Sequence, residues 1–441
     1  MRLTKFILCV IPCICSCSTF TFAQDYTSYF TGNATDVVTQ PYGGVCLMGG
    51  ATEDDNAMIW FLQQANGGDV LVLRASGSDG YNDYFYTDLG VTVNSVETIV
   101  FNNAAASTSA YVQQKIEQAE AIWFAGGDQW NYISYWRNTP VDSLINIAVS
   151  ERKIVVGGTS AGMAILGDVY FTAENGTVSS ATALSNPYAS AVTIDSASFI
   201  DVPYMSGVIT DTHYDSPDRR GRHTVFLAKM FVDFGYEFPL GIACEEYVAI
   251  CIDTLGIAHV YGGYPTYDEQ AFFIQLNCEM NDMVLMPEVC SDGNPLTWSY
   301  GQAVLKVYKV NGTSTGANYF DLNNWENGSG GVWETWYVEA GTFDAVSSVQ
   351  PDCSVSIEEH PTNAEFFVIY PKPTEFSIYI ASATENSIEQ IRIFDSAGKL
   401  QSEKSIGQKD TTISTIGFET GVYYLHCLVG GVWSSARFVV L

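Results

Sequence analysis

Positive charge is scarce in this chain. Its 441 residues include 19 Lys and Arg against 49 Asp and Glu, a formal charge of −30. A field of that sign repels phosphate backbones, which excludes nucleic acid as a natural partner and disfavours anionic membrane surfaces. Charged residues amount to only 15% and hydrophobic ones to 47%, so the composition is that of packed cores, not of disorder. Histidine is rare too, with five in all. No C-x-x-C pair occurs, so a zinc site has little support, and neither a metal nor a cofactor is expected. There is no repeat of about 20–50 residues. The length suits two or three domains.

The N-terminus carries an export signal. Arg2 and Lys5 precede the apolar run Phe6 to Cys15, and Thr21-Phe22-Ala23 offers a cleavage site before Gln24, so residues 1–23 are expected to be a signal peptide. The run is too short to span a bilayer. Ile14-Cys15-Ser16 before Cys17 leaves a lipid-anchored alternative open. Beyond the signal stand Cys46, Cys244, Cys251, Cys278, Cys290, Cys353 and Cys427. Export permits disulfides. Cys278 and Cys290 flank a short loop-like stretch and are the favoured pair, with free buried thiols as the alternative.

From Gly44 to about Val260, apolar strands alternate with helical stretches. Strand-like runs are Val45–Met48, Asp69–Leu73, Ser95–Phe101, Ala121–Phe124 and Lys153–Val156; Asn56–Ala65 and Val112–Ala119 have helical spacing. This alternation predicts an α/β domain over residues 24–261, with a parallel sheet covered on both faces and ligands bound beyond the carboxyl ends of its strands. Short alternating runs with Asn- and Gly-rich turns then predict a β-rich extension, residues 262–349. A polar linker, 350–364, leads to a C-terminal β-sandwich, 365–441.

One strand end carries chemistry. Gly158-Thr159-Ser160-Ala161-Gly162 fits G-x-S-x-G between a strand and a helix start, the context of a nucleophile elbow. The pattern alone also fits a tight turn whose serine caps a helix. A serine nucleophile needs a base. His213, just past the strand-like Val208-Ile209-Thr210, lies on the same rim. His223 falls in a helix, His360 in the linker and His426 in the sandwich, and His259 completes the set. After Ala121–Phe124, the glycines of Gly126-Gly127 leave backbone amides accessible. The N–H groups of Gly127 and Ala161 are candidates for an oxyanion hole, and Gln129 is placed to touch substrate.

Three blocks, Phe124-Ala125-Gly126-Gly127-Asp128-Gln129, Gly158–Gly162 and Asp211-Thr212-His213-Tyr214 with the arginines after it, resemble those of the cyanophycinase and dipeptidase E-like serine peptidases, peptidase family S51. Gly49-Gly50-Ala51-Thr52-Glu53 is similar as well. The resemblance covers roughly Gly43 to Asp253. It implies a class I glutamine-amidotransferase-like (flavodoxin-like) α/β fold and a serine-type peptidase acting on bonds that involve aspartate. It further implies Ser160 as nucleophile, His213 as base and Gln129 as a substrate contact. It places an acidic partner between Ser and His, where Glu174 stands nearest, with Asp168 and Asp195 as rivals. Of the family's arginines, Arg219 and Arg222 occupy two positions as substrate ligands. Pro217 stands at the first, where Arg220 is a substitute. The expected partner is a peptide or polypeptide, and a homodimer is compatible with the sequence. An amidase or transferase with the same nucleophile, or a surface binding protein with a decayed triad, are the alternatives.

The tail has its own resemblance. Tyr370-Pro371-Lys372-Pro373-Thr374, Ile393–Lys399, Gly421–Leu425 and Arg437–Val440 resemble the C-terminal sorting domain of the type IX (Por) secretion system. This implies a secreted or cell-surface protein that engages the type IX machinery.

Overall fold

A computed structural model describes residues 24–280, 285–352, 367–370, 374, 376–395, 399–418 and 420–440. The expected signal peptide 1–23, most of the expected linker and Cys353 lie outside the described residues.

The strands β1 (Tyr26–Gly32), β2 (Gly44–Met48), β3 (Asp69–Arg74), β4 (Ser95–Phe101), β5 (Ala121–Phe124) and β6 (Val155–Thr159) alternate with the helices α1 (Asp55–Gln64), α2 (Gly80–Asp83), α3 (Ala110–Gln118), α4 (Gln129–Trp136) and α5 (Pro140–Ser150). The turns into α1, α4 and α5 carry side-chain caps. Asp54 accepts from the Ala57 amide at 3.0 Å to start α1. Thr139 caps α5 ahead of Pro140, which gives up no bonded amide at the first helical position. Near-continuous apolar runs make β2 to β6 parallel strands buried on both faces, in the order β4-β3-β5-β6-β2. One face packs on α3, α4 and α5 through Val112, Ile116, Ile133, Val141 and Ile145. The other packs on α1 through Ala57, Met58, Phe61 and Leu62. The sheet is therefore covered on both sides, as the alternation predicts.

Past Ser160 come α6 (Ala161–Ala164), the hairpin β7 (Tyr170–Phe171) and β8 (Ile194–Asp195) with α7 (Ser180–Ser185) between them, then β9 (Val208–Asp211), α8 (Arg220–Phe234) and β10 (Leu240–Cys244). Helix α8 ends at Gly235, whose φ of 75° provides the left-handed residue that stops a helix. β9 and β10 run parallel, with Asp211 level with Ala243. They open a second, six-stranded sheet with β9 at its edge.

The β-rich segment extends both sheets. β11 (Ala249–Ile252) and β12 (Ile257–Tyr264) widen the first sheet beside β2, and β15 (Asn318–Asp321) and β16 (Gly328–Ser329) complete its ten strands. β13 (Gln270–Leu276), β14 (Leu305–Asn311), β17 (Gly331–Glu339) and β18 (Thr342–Ser348) build out the second. β12 spans the position where the composition changes, so the chain passes through that point within a strand. In the tail, a three-stranded and a four-stranded antiparallel sheet enclose Ile378, Ile380, Ile391, Ile393, Leu425 and Phe438, which is a sandwich core. The expected Cys278–Cys290 pair does not form: Cys278 is disulfide-bonded, but Cys290 keeps a free thiol, as do the buried Cys46, Cys244 and Cys251.

Glu120, between α3 and β5, is 3% exposed. It accepts the Asp69 amide at 2.7 Å. Burial pushes its carboxyl up to about 7, against the pull of that amide. Between the ordinary value of 4.5 and about 7, the folded chain holds a proton that the unfolded chain has lost, so this residue's contribution to stability falls as pH rises through that window. Thermal melts of Glu120→Gln are expected to lose less Tm than wild type between those two pH values.

Candidate active site

The strand β6 ends in a backbone turn that a serine seldom adopts. Ser160 has φ 52° and ψ −115°, a strained conformation costing about 1–3 kcal/mol. Several contacts hold it. The Ser160 amide donates to Met48 O at 3.1 Å, and the Ala164 amide donates to Ser160 O at 2.9 Å. The glycines on either side are required by contact. A Cβ at Gly162 would lie 1.9 Å from Phe124 O, and one at Gly158 would lie 2.5 Å from the Gly162 carbonyl carbon. Helix α6 thus crosses directly over the ends of β5 and β6, and the Ser160 side chain stands half-buried at the sheet's carboxyl rim.

His213 leaves β9 in a second left-handed turn, φ 47°. Its amide donates to Gly49 O at 2.9 Å. Its ring lies against Gly50, where a Cβ would fall 2.4 Å from Nε2. His213 Nε2 is 2.8 Å from Ser160 Oγ, and Nδ1 is 2.6 Å from Glu246 Oε1. A carboxylate can only accept, so Nδ1 carries the proton and Nε2 is left to accept from the serine hydroxyl. Glu246 sits in the turn after β10. Its amide donates to Asp215 Oδ1 at 3.1 Å, and the next amide, that of Tyr247, donates to Gly50 O at 3.1 Å. The Gly49-Gly50 loop therefore fixes both the histidine and the glutamate turn. Gly126 completes the floor, since a Cβ there would touch Ser160 Cβ at 3.6 Å.

The structure brings Ser160, His213, Gly126-Gly127 and Ala161 together on one rim but places other expected residues elsewhere. Glu174 is exposed and lines a cavity with Trp130, Arg137 and Asp195. Asp168 accepts from the Gly207 amide at 2.8 Å, and Asp195 pairs with Arg137. The carboxylate on His213 is Glu246, which comes after the histidine in sequence. The reason is topological. β9 and β10 are adjacent and parallel, so the turn after one lies beside the turn after the other. A carboxylate just past the strand Leu240–Cys244 was the available signal.

Arg222 does not reach the mouth of the site. It is 3% exposed, and it grips Asp211 through Nε at 2.8 Å and Nη2 at 2.5 Å. Burial raises the Asp211 carboxyl, but the guanidinium overrides that and holds it below the ordinary carboxylate value. Arg220 pairs with Asp218 at the surface. Arg219 is half-buried beside the site and donates from Nη1 to Thr212 O at 2.8 Å. Gln129 opens α4, and its Nε2 donates to Phe171 O at 3.4 Å. His223 is fully buried, with Nδ1 accepting from Tyr214 OH at 3.0 Å and Nε2 facing Ile209 O at 3.2 Å. Burial drives its pKa down to about 4, so it is a neutral core residue.

Residues 60–187 match the model of peptidase family S51. That span holds Ser160, Gly127 and Gln129, and stops before His213 and Glu246. Residues 368–440 match a secretion system C-terminal sorting domain, which indicates export to the cell surface or the extracellular space by the type IX route. Two cyanophycinases, from Synechococcus elongatus and Thermosynechococcus vestitus, are each 26% identical over 231 residues. The match covers 50% of this chain and 66% of each relative, just under two thirds of their length. Among solved structures, a peptidase from an acI-B1 Actinobacterium aligns over 53% of this chain and 94% of its own, with 12% identity and a TM-score of 0.36. A peptidase E-type protein of Listeria monocytogenes aligns over 50% of this chain and 98% of its own, with 15% identity and a TM-score of 0.31.

The close crossing at Gly162 makes a test of the turn. Gly162→Ala forces a methyl into the Phe124 carbonyl and is expected to cost more than about 3 kcal/mol, beyond ordinary overpacking. Gly80→Ala, with nothing within 4 Å, is expected to leave stability unchanged or slightly raised. Urea unfolding of the two variants checks the contrast.

Proposed function

We propose that the chain is an exported serine hydrolase that cleaves peptide or isopeptide bonds, including bonds that involve aspartyl residues. One observation carries the reading: Glu246, His213 and Ser160 form an unbroken hydrogen-bonded line at 2.6 and 2.8 Å. Neutral His213 takes the Ser160 proton on Nε2 as Oγ attacks the carbonyl carbon. Glu246 holds the ring in the tautomer that can do so, and stabilises the imidazolium that forms. His213 then gives the proton to the leaving amine, and water repeats the sequence to release the acyl group. The amides of Gly127, which follows the Gly126 that abuts Ser160, and of Ala161, which follows Ser160, are our candidates for stabilising the tetrahedral oxyanion. Gln129 and Arg219 are the proposed substrate contacts. The 26% identity with cyanophycinases supports a substrate of that general class. The intact relay favours an enzyme over a decayed binding protein, since a nucleophile in a strained turn has no packing role that alanine would not serve. We further propose that residues 24–349 form one catalytic unit, because the β-rich segment adds strands to both sheets, and that the sandwich after it serves export.

Ser160→Ala is expected to abolish labelling by a serine-reactive phosphonate and to lower turnover at least about 10³-fold with the fold intact. Glu246→Gln should lower kcat about 10³- to 10⁴-fold, the scale for losing the tautomer-setting carboxylate, whereas Glu174→Gln should behave as a surface substitution. Equal activity in Glu246→Gln and wild type would overturn the relay.

Truncation before the sandwich, after residue 363, is expected to leave turnover intact while the protein stays inside its native host. Cell fractionation with an activity assay reads both outcomes.

A further inference from the structure

We propose that Arg74 forms an anion subsite across the Gly126-Gly127 turn from His213, and that it receives a carboxylate of a substrate lying over Ser160. This rests on the hydrolase reading above and assigns the acid recognition to a residue outside the arginine cluster that follows His213.

The placement follows from register. Leu73 on β3 is level with Phe124 on β5, and Phe124 with Gly158 on β6. Arg74 therefore stands at the same height as Ala125 and Thr159, two strand spacings from Ser160's strand, or about 10 Å. That gap is one an arginine side chain and a substrate residue fill together. The contacts between are continuous. Gly126 abuts Ser160, and a Cβ on Gly127 would lie 3.0 Å from Tyr132 OH and 3.5 Å from Ser76 Oγ. Tyr132 OH donates to Ala125 O at 2.8 Å, which locks the turn. Ser76 belongs to the loop that holds Arg74.

That loop orients the guanidinium without neutralising it. Arg74 Nε donates to Ser76 O, and Nη1 donates to Ser78 O at 2.9 Å. Gly77, at φ 92°, packs against the guanidinium, since a Cβ there would sit 2.3 Å from Nη2, 2.6 Å from Cζ and 3.0 Å from Nε, so only glycine leaves the group its place. Arg137, Arg220, Arg222 and Arg392 are each paired with a carboxylate. Among the described residues Arg74, like Arg152 and Arg219, which donate to the carbonyls of Ile116 and Thr212, pairs with none, in a chain where acids outnumber bases 49 to 19. The nearby carboxylates are engaged elsewhere: Glu53 accepts the Tyr81 hydroxyl, and Asp128 caps α4 through the Trp130 amide at 2.9 Å. A fixed guanidinium without a carboxylate loses little side-chain freedom on meeting one, and its N–H groups suit the charge-assisted bond that such a group makes.

The test uses the full-length protein and pairs of fluorogenic peptides that differ by one Asp-to-Asn exchange at each position flanking the cleaved bond, with α- and β-linked aspartate both included. Wild type is expected to prefer the Asp peptide at one position. In Arg74→Gln, the Asp-over-Asn ratio of kcat/KM at that position should fall about 10- to 100-fold, the scale of a lost bond between charged groups. Arg74→Lys should restore part of it. Because the reading is a ratio, general damage to the loop does not move it. An unchanged ratio in Arg74→Gln, or a ratio that collapses in Arg219→Gln and not in Arg74→Gln, would overturn the subsite while leaving the hydrolase intact. Cleavage that survives Ser160→Ala would instead overturn the reading on which it rests.

Discussion

Everything at the rim depends on how closely α6 crosses the sheet. The helix that follows Ser160 runs over β5 with no room for a single carbon between Gly162 and the Phe124 carbonyl. That proximity pushes the serine into a left-handed turn and points its hydroxyl away from the sheet. The strain is stored locally and offset by the buried parallel strands on either side, whose cores fill both faces. A looser crossing would let Ser160 relax into an ordinary helix cap, and the hydroxyl would fold back onto the amides of its own helix.

The second requirement is that two sheets cooperate. Ser160 ends a strand of the ten-stranded sheet, and His213 and Glu246 end strands of the six-stranded one. The Gly49-Gly50 loop spans them: it belongs to β2 of the first sheet, yet its carbonyls hold the amides of His213 and Tyr247. Two carbonyls thus set the position of His213 and of Glu246 behind it. The β-rich strands that look like an appendage in the sequence reinforce this joint, since β13 lies beside β10.

Much of this was legible beforehand, and the limits have physical causes. Buried parallel strands announce themselves as short apolar runs, so β2 to β5 and the elbow at Ser160 could be read residue by residue. His213 followed from its place past a strand end. Glu246 had only its place just past a strand to mark it, because a partner in space is set by which strands are neighbours, and the sequence does not show that β10 lies beside β9. The same ignorance made Arg222 look like a ligand. Its charge was visible, but its engagement with Asp211 depends on α8 folding back over β9. The six-stranded sheet was hidden for a related reason: two strands of the other sheet, β11 and β12, intervene in the chain between its neighbours β10 and β13, and alternation alone does not tell which sheet a strand will join.

Because the serine and the histidine are carried by different sheets, the 2.8 Å contact between them works as a gauge of how well those sheets are seated. Hydrogen bonds weaken steeply with distance and angle, so a slip of an ångström at the joint would break the relay while the secondary structure of both halves persisted. Denaturant, heat or a mutation far from the rim would then silence the rim before any spectroscopic sign of unfolding. Function in this molecule would be the most sensitive reporter of its own tertiary packing.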